Sequence, residues 1–220
     1  MIDLLEKWNC LDRKVIAILR GIEPRDVPEV VSGLIETGFQ AIEVPLNSPD
    51  ALKSIELAVR TAEQVADRTF LIGAGTVLTA EEVRQVAEAG GTLVVSPNVD
   101  AEIIKATIDA KMLSAPGVFT ASEACLAVSS GAHVLKFFPA SLLGPKGIRA
   151  VQAILPPATQ VCAVGGVGPD SFADYIAEGI SCFGLGSELY KPSFSPEQAI
   201  EKGRIALNAF DAAVTGTSDP

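Results

Sequence analysis

The chain has 220 residues, 48% apolar and 20% charged, with a mean hydropathy of +0.35; it can bury enough apolar surface to offset its ordering entropy, which excludes intrinsic disorder. Its 17 basic and 27 acidic side chains leave a formal net charge of -10, a field that repels nucleic acid and anionic membranes and excludes a general polyanion binder. A phosphorylated small ligand would need a locally positive or dipolar pocket.

The first segment, MIDLLEKWNCLDRK, carries acidic residues early and lacks an apolar run followed by a small-residue cleavage site. No later apolar run is long enough to span a bilayer, so a soluble, cytoplasmic protein without a membrane partner is expected. From residue 15 onward, short runs rich in Val and Ile alternate with amphipathic stretches. The runs are VIAIL (15–19), AIEV (41–44), FLIG (70–73), TLVV (92–95), MLSA (112–115), HVLKFF (133–138), VCAV (161–164) and CFGLG (182–186). They recur roughly every 20–30 residues, the length of a strand plus a crossover helix, and so predict parallel strands. Helix starts are signalled by Pro24 with Asp26, Thr79 before Glu81 and Glu82, Thr120 or Ser122 near Glu123, and Ser195 before Pro196 and Glu197. Gly38, Gly90, Gly131 and Gly179 each stand shortly before the next run, as helix stops do.

Eight such units fill residues 1–214 with no room for a second domain, which predicts a single α/β domain, a (β/α)8 TIM barrel. A doubly wound open sheet uses the same alternation and is the competing architecture. The polar end TGTSDP (215–220) reads as a flexible tail. Cys10, Cys125, Cys162 and Cys182 form no Cys-x-x-Cys pair and are mostly flanked by apolar residues, so buried free thiols in a reducing compartment are expected.

In a barrel, chemistry gathers at the C-terminal ends of strands. Three runs carry a charge there: Arg20 after the first, Glu43 within the second and Lys136 in the sixth. Alternation puts Val134, Lys136 and Phe138 on one face of their strand, either inside the barrel or against the helices. Among apolar neighbours Lys136 is either a snorkelling structural lysine or an amine whose pKa is depressed enough to attack a carbonyl and form a Schiff base. Glu43 is either paired with Arg20 or a general acid/base raised by burial. Gly165-Gly166 and Gly184-Leu185-Gly186-Ser187 follow the last two runs, where barrels hold phosphate on backbone N–H groups; turn formation alone is the other reading. His133, the sole histidine, reads as packing or loop. With one histidine and no cysteine cluster, neither a zinc site nor a His-dependent nucleophile is assembled, and metal-free, cofactor-free chemistry is expected.

The stretches VIAILRG (15–21), IEVPLNSP (42–49), IGAGTVL (72–78), VSPN (95–98), PGVFTASEA (116–124), LKFFPAS (135–141), AVGGV (163–167) and GLGSELY (184–190) resemble, in order, those of the class I aldolases that cleave 2-keto-3-deoxy-6-phospho sugar acids. The resemblance spans nearly the whole chain. It implies that Lys136 is the Schiff-base lysine and that Glu43 moves protons through a water. It implies further that Arg20, Thr76 and Pro97 line the pyruvate end, and that Gly165, Gly166, Gly186 and Ser187 cradle the phosphate, with Phe138 and Val164 also at the substrate. The implied substrate is a phosphorylated 2-keto-3-deoxy sugar acid, the products are pyruvate and glyceraldehyde 3-phosphate, and the assembly is a homotrimer. Val164 stands where family members acting on the gluconate epimer carry Thr, and Asn47 where some of them carry Arg. Both features, with LNSP (46–49), resemble members acting on the galactonate epimer. An aldolase for the gluconate epimer or for 4-hydroxy-2-oxoglutarate, and a non-catalytic phosphosugar-binding barrel, are the alternatives.

Overall fold

The computed structural model describes residues 4–65 and 68–216. A short helix, α1 (Leu4–Asn9), precedes β1 (Val15–Ile18). Strands and helices then alternate: α2 (Val27–Thr37), β2 (Ala41–Pro45), α3 (Ala51–Glu63), β3 (Leu71–Gly75), α4 (Ala80–Glu88), β4 (Leu93–Val95) and α5 (Ala101–Asp109). The second half runs β5 (Leu113–Ala115), β6 (Gly117–Val118), α6 (Ala121–Ser129), β7 (Val134–Phe137), α7 (Ala140–Gln152), β8 (Gln160–Val164), α8 (Phe172–Ala177), β9 (Phe183–Leu185) and α9 (Pro196–Gly216).

All pairings are parallel, in the order β5-β4-β3-β2-β1-β9-β8-β7-β6. The two ends of this list are one stretch of chain interrupted at Pro116, so the sheet closes on itself. Pro116 has no N–H to give to a ladder, yet its carbonyl accepts the Lys136 N–H at 2.9 Å, and the Ser114 carbonyl accepts the His133 N–H at 3.1 Å. His133 adds a side-chain stitch, its Nδ1 accepting the Ser114 N–H at 3.0 Å. The histidine thus works at the barrel seam, just before β7, a structural place within the packing-or-loop reading. The eight expected runs all become strands, the short β6 just beyond the fifth run is an addition to them, and the fold is the expected barrel.

Strand residues divide by alternation. Val15, Ala17, Ile42, Val44 and Leu135 face the helices and form the larger core. Ile16, Ile18, Leu71, Leu93, Val95, Leu113 and Val134 fill the barrel, where Trp8 of α1 joins them. Trp8 is fully buried, so α1 plugs the floor of the barrel. The short six-residue helix lacks the long amphipathic pattern that announces the others.

Thr79 and Thr120 each form a reciprocal capping box with the glutamate three residues on, and Ser195 and Gln198 exchange the same pair of bonds. Asp26 stands at the start of α2 without a side-chain cap bond. Gly38 ends α2 in a left-handed conformation, its N–H reaching the carbonyls of Ile35 and Leu34.

Two expectations change. Cys10 and Cys125 are exposed, and Cys162 and Cys182 are joined in a disulfide with Cα atoms 4.4 Å apart. Ala163 and Phe183 are register partners in β8 and β9, so the residues before them lie side by side, both facing the barrel interior. Their separation of 20 residues conceals this adjacency from a search for short cysteine spacings. The second change concerns the tail: α9 continues through Thr215 and Gly216, whereas residues 217–220 lie outside the described residues. Among the described residues no helix is long and apolar enough to cross a membrane.

Candidate active site

A cavity of about 670 Å³ opens at the C-terminal ends of the strands, and the residues expected to react with or bind the substrate line it: Arg20, Glu43, Thr76, Pro97, Lys136, Phe138, Val164, Gly165, Gly166, Gly186 and Ser187. Lys136 follows Val134 by two on β7 and therefore points into the barrel, which removes the helix-layer alternative. Glu43 on β2 is likewise interior, following Ala41 by two.

Both side chains are almost wholly enclosed, at 3% exposure for Glu43 and 9% for Lys136. Burial pushes the Glu43 carboxyl up to about 7, opposed first by Lys136 and then by Arg20. Burial pushes the Lys136 ammonium down to about 8, with Glu43 opposing and Arg20 assisting. Near neutral pH the site therefore holds an amine that deprotonates readily and a carboxyl that can both take and return a proton. The Glu43 Oε2 is buried with no hydrogen-bond partner among the described residues, an acceptor left for something inside the cavity.

Glu43 fits because β3 offers no side chain opposite it. A Cβ on Gly75 would overlap the Glu43 carboxylate. After Gly75 the backbone of Thr76 turns into the left-handed region at φ 57, an uncommon state for a β-branched residue. That turn brings Thr76 Oγ1 to 3.4 Å from the Arg20 guanidinium, whose other arm donates to Asn47 Oδ1 at 2.7 Å. The guanidinium is thus held from two sides at the mouth. Asn47 enters the sequence reading only through resemblance; its contact with Arg20 joins two strand ends and leaves no local signal.

Across the mouth, Gly165 and Gly166 both have positive φ, at 90° and 69°, which glycine adopts without strain. A side chain at Gly165 would meet the Phe138 ring and one at Gly166 would meet Ser141, so the bare backbone is required there twice over. Phe138 places its ring centroid 5.0 Å from Lys136 Nζ, a contact that favours a cation on that nitrogen. The mouth also includes Tyr190, Lys191 and Pro192, from the loop after β9. Among the described residues, no group of three or more His, Cys, Asp or Glu is placed to hold a metal ion.

The family described as KDPG and KHG aldolase matches residues 7–204. The chain belongs to this family. It is 51% identical over 206 residues, 94% of this chain and 95% of the relative, to a probable 2-dehydro-3-deoxy-6-phosphogalactonate aldolase of Rhizobium meliloti (strain 1021). It is 42% identical over 200 residues, 91% of this chain and 96% of the relative, to the 2-dehydro-3-deoxy-6-phosphogalactonate aldolase of Escherichia coli (strain K12). A solved structure described as native KDPGal superposes with a TM-score of 0.88 at 41% identity, covering 93% of this chain and 97% of that one. Members of the KDPG and KHG aldolase family are class I lyases, and the buried amine in this barrel is the group such chemistry needs.

Proposed function

We propose that this protein is a 2-dehydro-3-deoxy-6-phosphogalactonate aldolase in which Lys136 forms the Schiff base and Glu43 carries the protons. The observation that carries the reading is the enclosure of an amine and a carboxyl in one barrel interior, each displaced by burial toward neutrality.

Unprotonated Lys136 attacks the 2-keto carbon, and the carbinolamine loses water to give a protonated imine, an electron sink. Glu43, through a water, takes the proton of the 4-hydroxyl. The bond between carbons 3 and 4 breaks, its electron pair passes into the imine as an enamine, and glyceraldehyde 3-phosphate leaves. Glu43 or its water returns a proton to carbon 3, and hydrolysis frees pyruvate and the Lys136 amine. Arg20, held by Asn47 and Thr76, takes the substrate carboxylate beside Pro97. The backbone of Gly165, Gly166 and Gly186, with Ser187, takes the phosphate. Anchoring both anionic ends orients the bond that breaks.

Val164 supports the galactonate epimer. It is nearly buried and lines the cavity, presenting a methyl where a threonine would present a hydroxyl, and the two substrates differ in configuration at carbon 4. Family resemblance supports a homotrimer and a cytoplasmic setting. Exposed Leu78, Phe119 and Leu142 offer apolar surface for the subunit contacts.

Sodium borohydride added with pyruvate tests the central claim. An adduct on the peptide carrying Lys136 is expected; an unmodified peptide would overturn it.

A further inference from the structure

We propose that Lys191 is a further substrate-binding residue, a flexible cation that closes on the phosphate group after the glycine cradle has received it. The inference rests on the aldolase reading above and extends it to a residue of the loop after β9.

Among the described residues, three side-chain cations line the cavity: Arg20, Lys136 and Lys191. Arg20 is engaged by Asn47 and Thr76 on the side of the mouth assigned to the carboxylate, and Lys136 reacts with the keto carbon. Only Lys191 is left to balance a phosphate dianion. That balance matters because Glu188 lines the same cavity, and a carboxylate there opposes a dianion that backbone N–H dipoles alone must hold.

The loop fixes the lysine's backbone and leaves its side chain free. Tyr190, before it, is buried, and its N–H donates to the Gly186 carbonyl at 2.9 Å, tying the loop to the cradle itself. Pro192, after it, packs against Gly21 closely enough that a Cβ there would lie 2.7 Å from the proline ring. The Phe194 N–H closes the turn on the Lys191 carbonyl at 2.9 Å. The exposed Lys191 ammonium lies 5.7 Å from the centroid of the Phe194 ring. A cation–π contact at an exposed position is weak, and a charge-assisted bond to a phosphate oxygen is stronger; a swing from ring to phosphate is favourable.

The test compares two substrates, the 6-phosphorylated sugar acid and the same acid without its phosphate, on wild type, Lys191→Met and Lys191→Arg. In Lys191→Met the ratio of kcat/KM for the phosphorylated over the unphosphorylated acid should fall about tenfold or more, with KM for the phosphorylated acid carrying the loss. Inorganic phosphate should inhibit that variant more weakly than wild type, and Lys191→Arg should restore most of the ratio. A Lys191→Met enzyme that keeps the wild-type ratio, or loses activity equally on both acids, overturns the role of Lys191 while leaving the aldolase reading intact. A wild type that cleaves neither acid overturns the aldolase reading, and this inference with it.

Discussion

The volume that a side chain on Gly75 would fill is occupied by the Glu43 carboxylate. The two residues face each other inside the barrel from adjacent strands, so the proposed proton carrier has its position only because its neighbour is bare. Gly75→Ala should therefore displace Glu43 and lower kcat by about 100-fold, the scale expected when a reacting group is moved by about an ångström. Steady-state kinetics alongside circular dichroism would check this; a folded variant with wild-type kcat would show that Glu43 tolerates the shift.

The pH dependence has a definite sign. Lys136 is depressed to about 8 and must lose a proton to attack, so kcat/KM should rise as pH increases from 6 to 9. Glu43 acts against that depression. Removing its charge in Glu43→Gln should drive the Lys136 pKa lower still and move the midpoint of borohydride trapping with pyruvate to lower pH, even as turnover is lost. A midpoint that stays fixed or moves upward would count against the electrostatic pairing.

For epimer choice, Val164→Thr should raise the use of the gluconate epimer relative to the galactonate one. A single hydroxyl placed beside carbon 4 is worth about 1–2 kcal/mol, or roughly five- to thirtyfold in the ratio. Measured kcat/KM values on both phospho sugar acids decide it, and an unchanged ratio removes Val164 as the determinant.

Asn47→Ala frees one arm of the Arg20 guanidinium. The expected effect is a several-fold rise in KM for the sugar acid with a smaller change in kcat, because a neutral partner of this kind contributes about 1 kcal/mol to orienting the cation. An equal fall in kcat would assign Asn47 to the reacting bond instead.

At the opposite end of the barrel, Trp8→Ala empties a fully enclosed site in the floor. It should cost about 3–5 kcal/mol of stability while leaving the pH profile of turnover in place, as thermal unfolding and kinetics can show together.

Much of this was legible in the chain itself. Strands buried on both faces leave unbroken apolar runs, which is why VIAIL and its seven successors could be read directly, and a charge interrupting such a run, as Lys136 does, stands out. Alternation tied Lys136 to Val134 but could not say which layer that face met; the closed sheet decides it. The left-handed Thr76, the Arg20–Asn47 bond and the Cys162–Cys182 pairing depend on which strands become neighbours, a long-range fact that no local window contains. Gly75 was visible as part of a glycine-rich strand end, yet its purpose belongs to Glu43, on another strand. The Pro116 break lay in plain view within PGVFTASEA, and only the seam shows that β5 and β6 are two halves of one barrel strand.

The pairing of β1 with β9 joins Val15 to Phe183, in the first and last strands of the sheet, so the ring closes through one of its longest-range contacts. Such contacts carry the heaviest loop-closure cost in folding. The mouth draws Arg20 from just beyond β1 and Gly186 and Ser187 from just beyond β9. No stretch of chain short of the full circuit holds both of the proposed anion-binding ends, and recovery of turnover during refolding should coincide with closure of the barrel and not precede it.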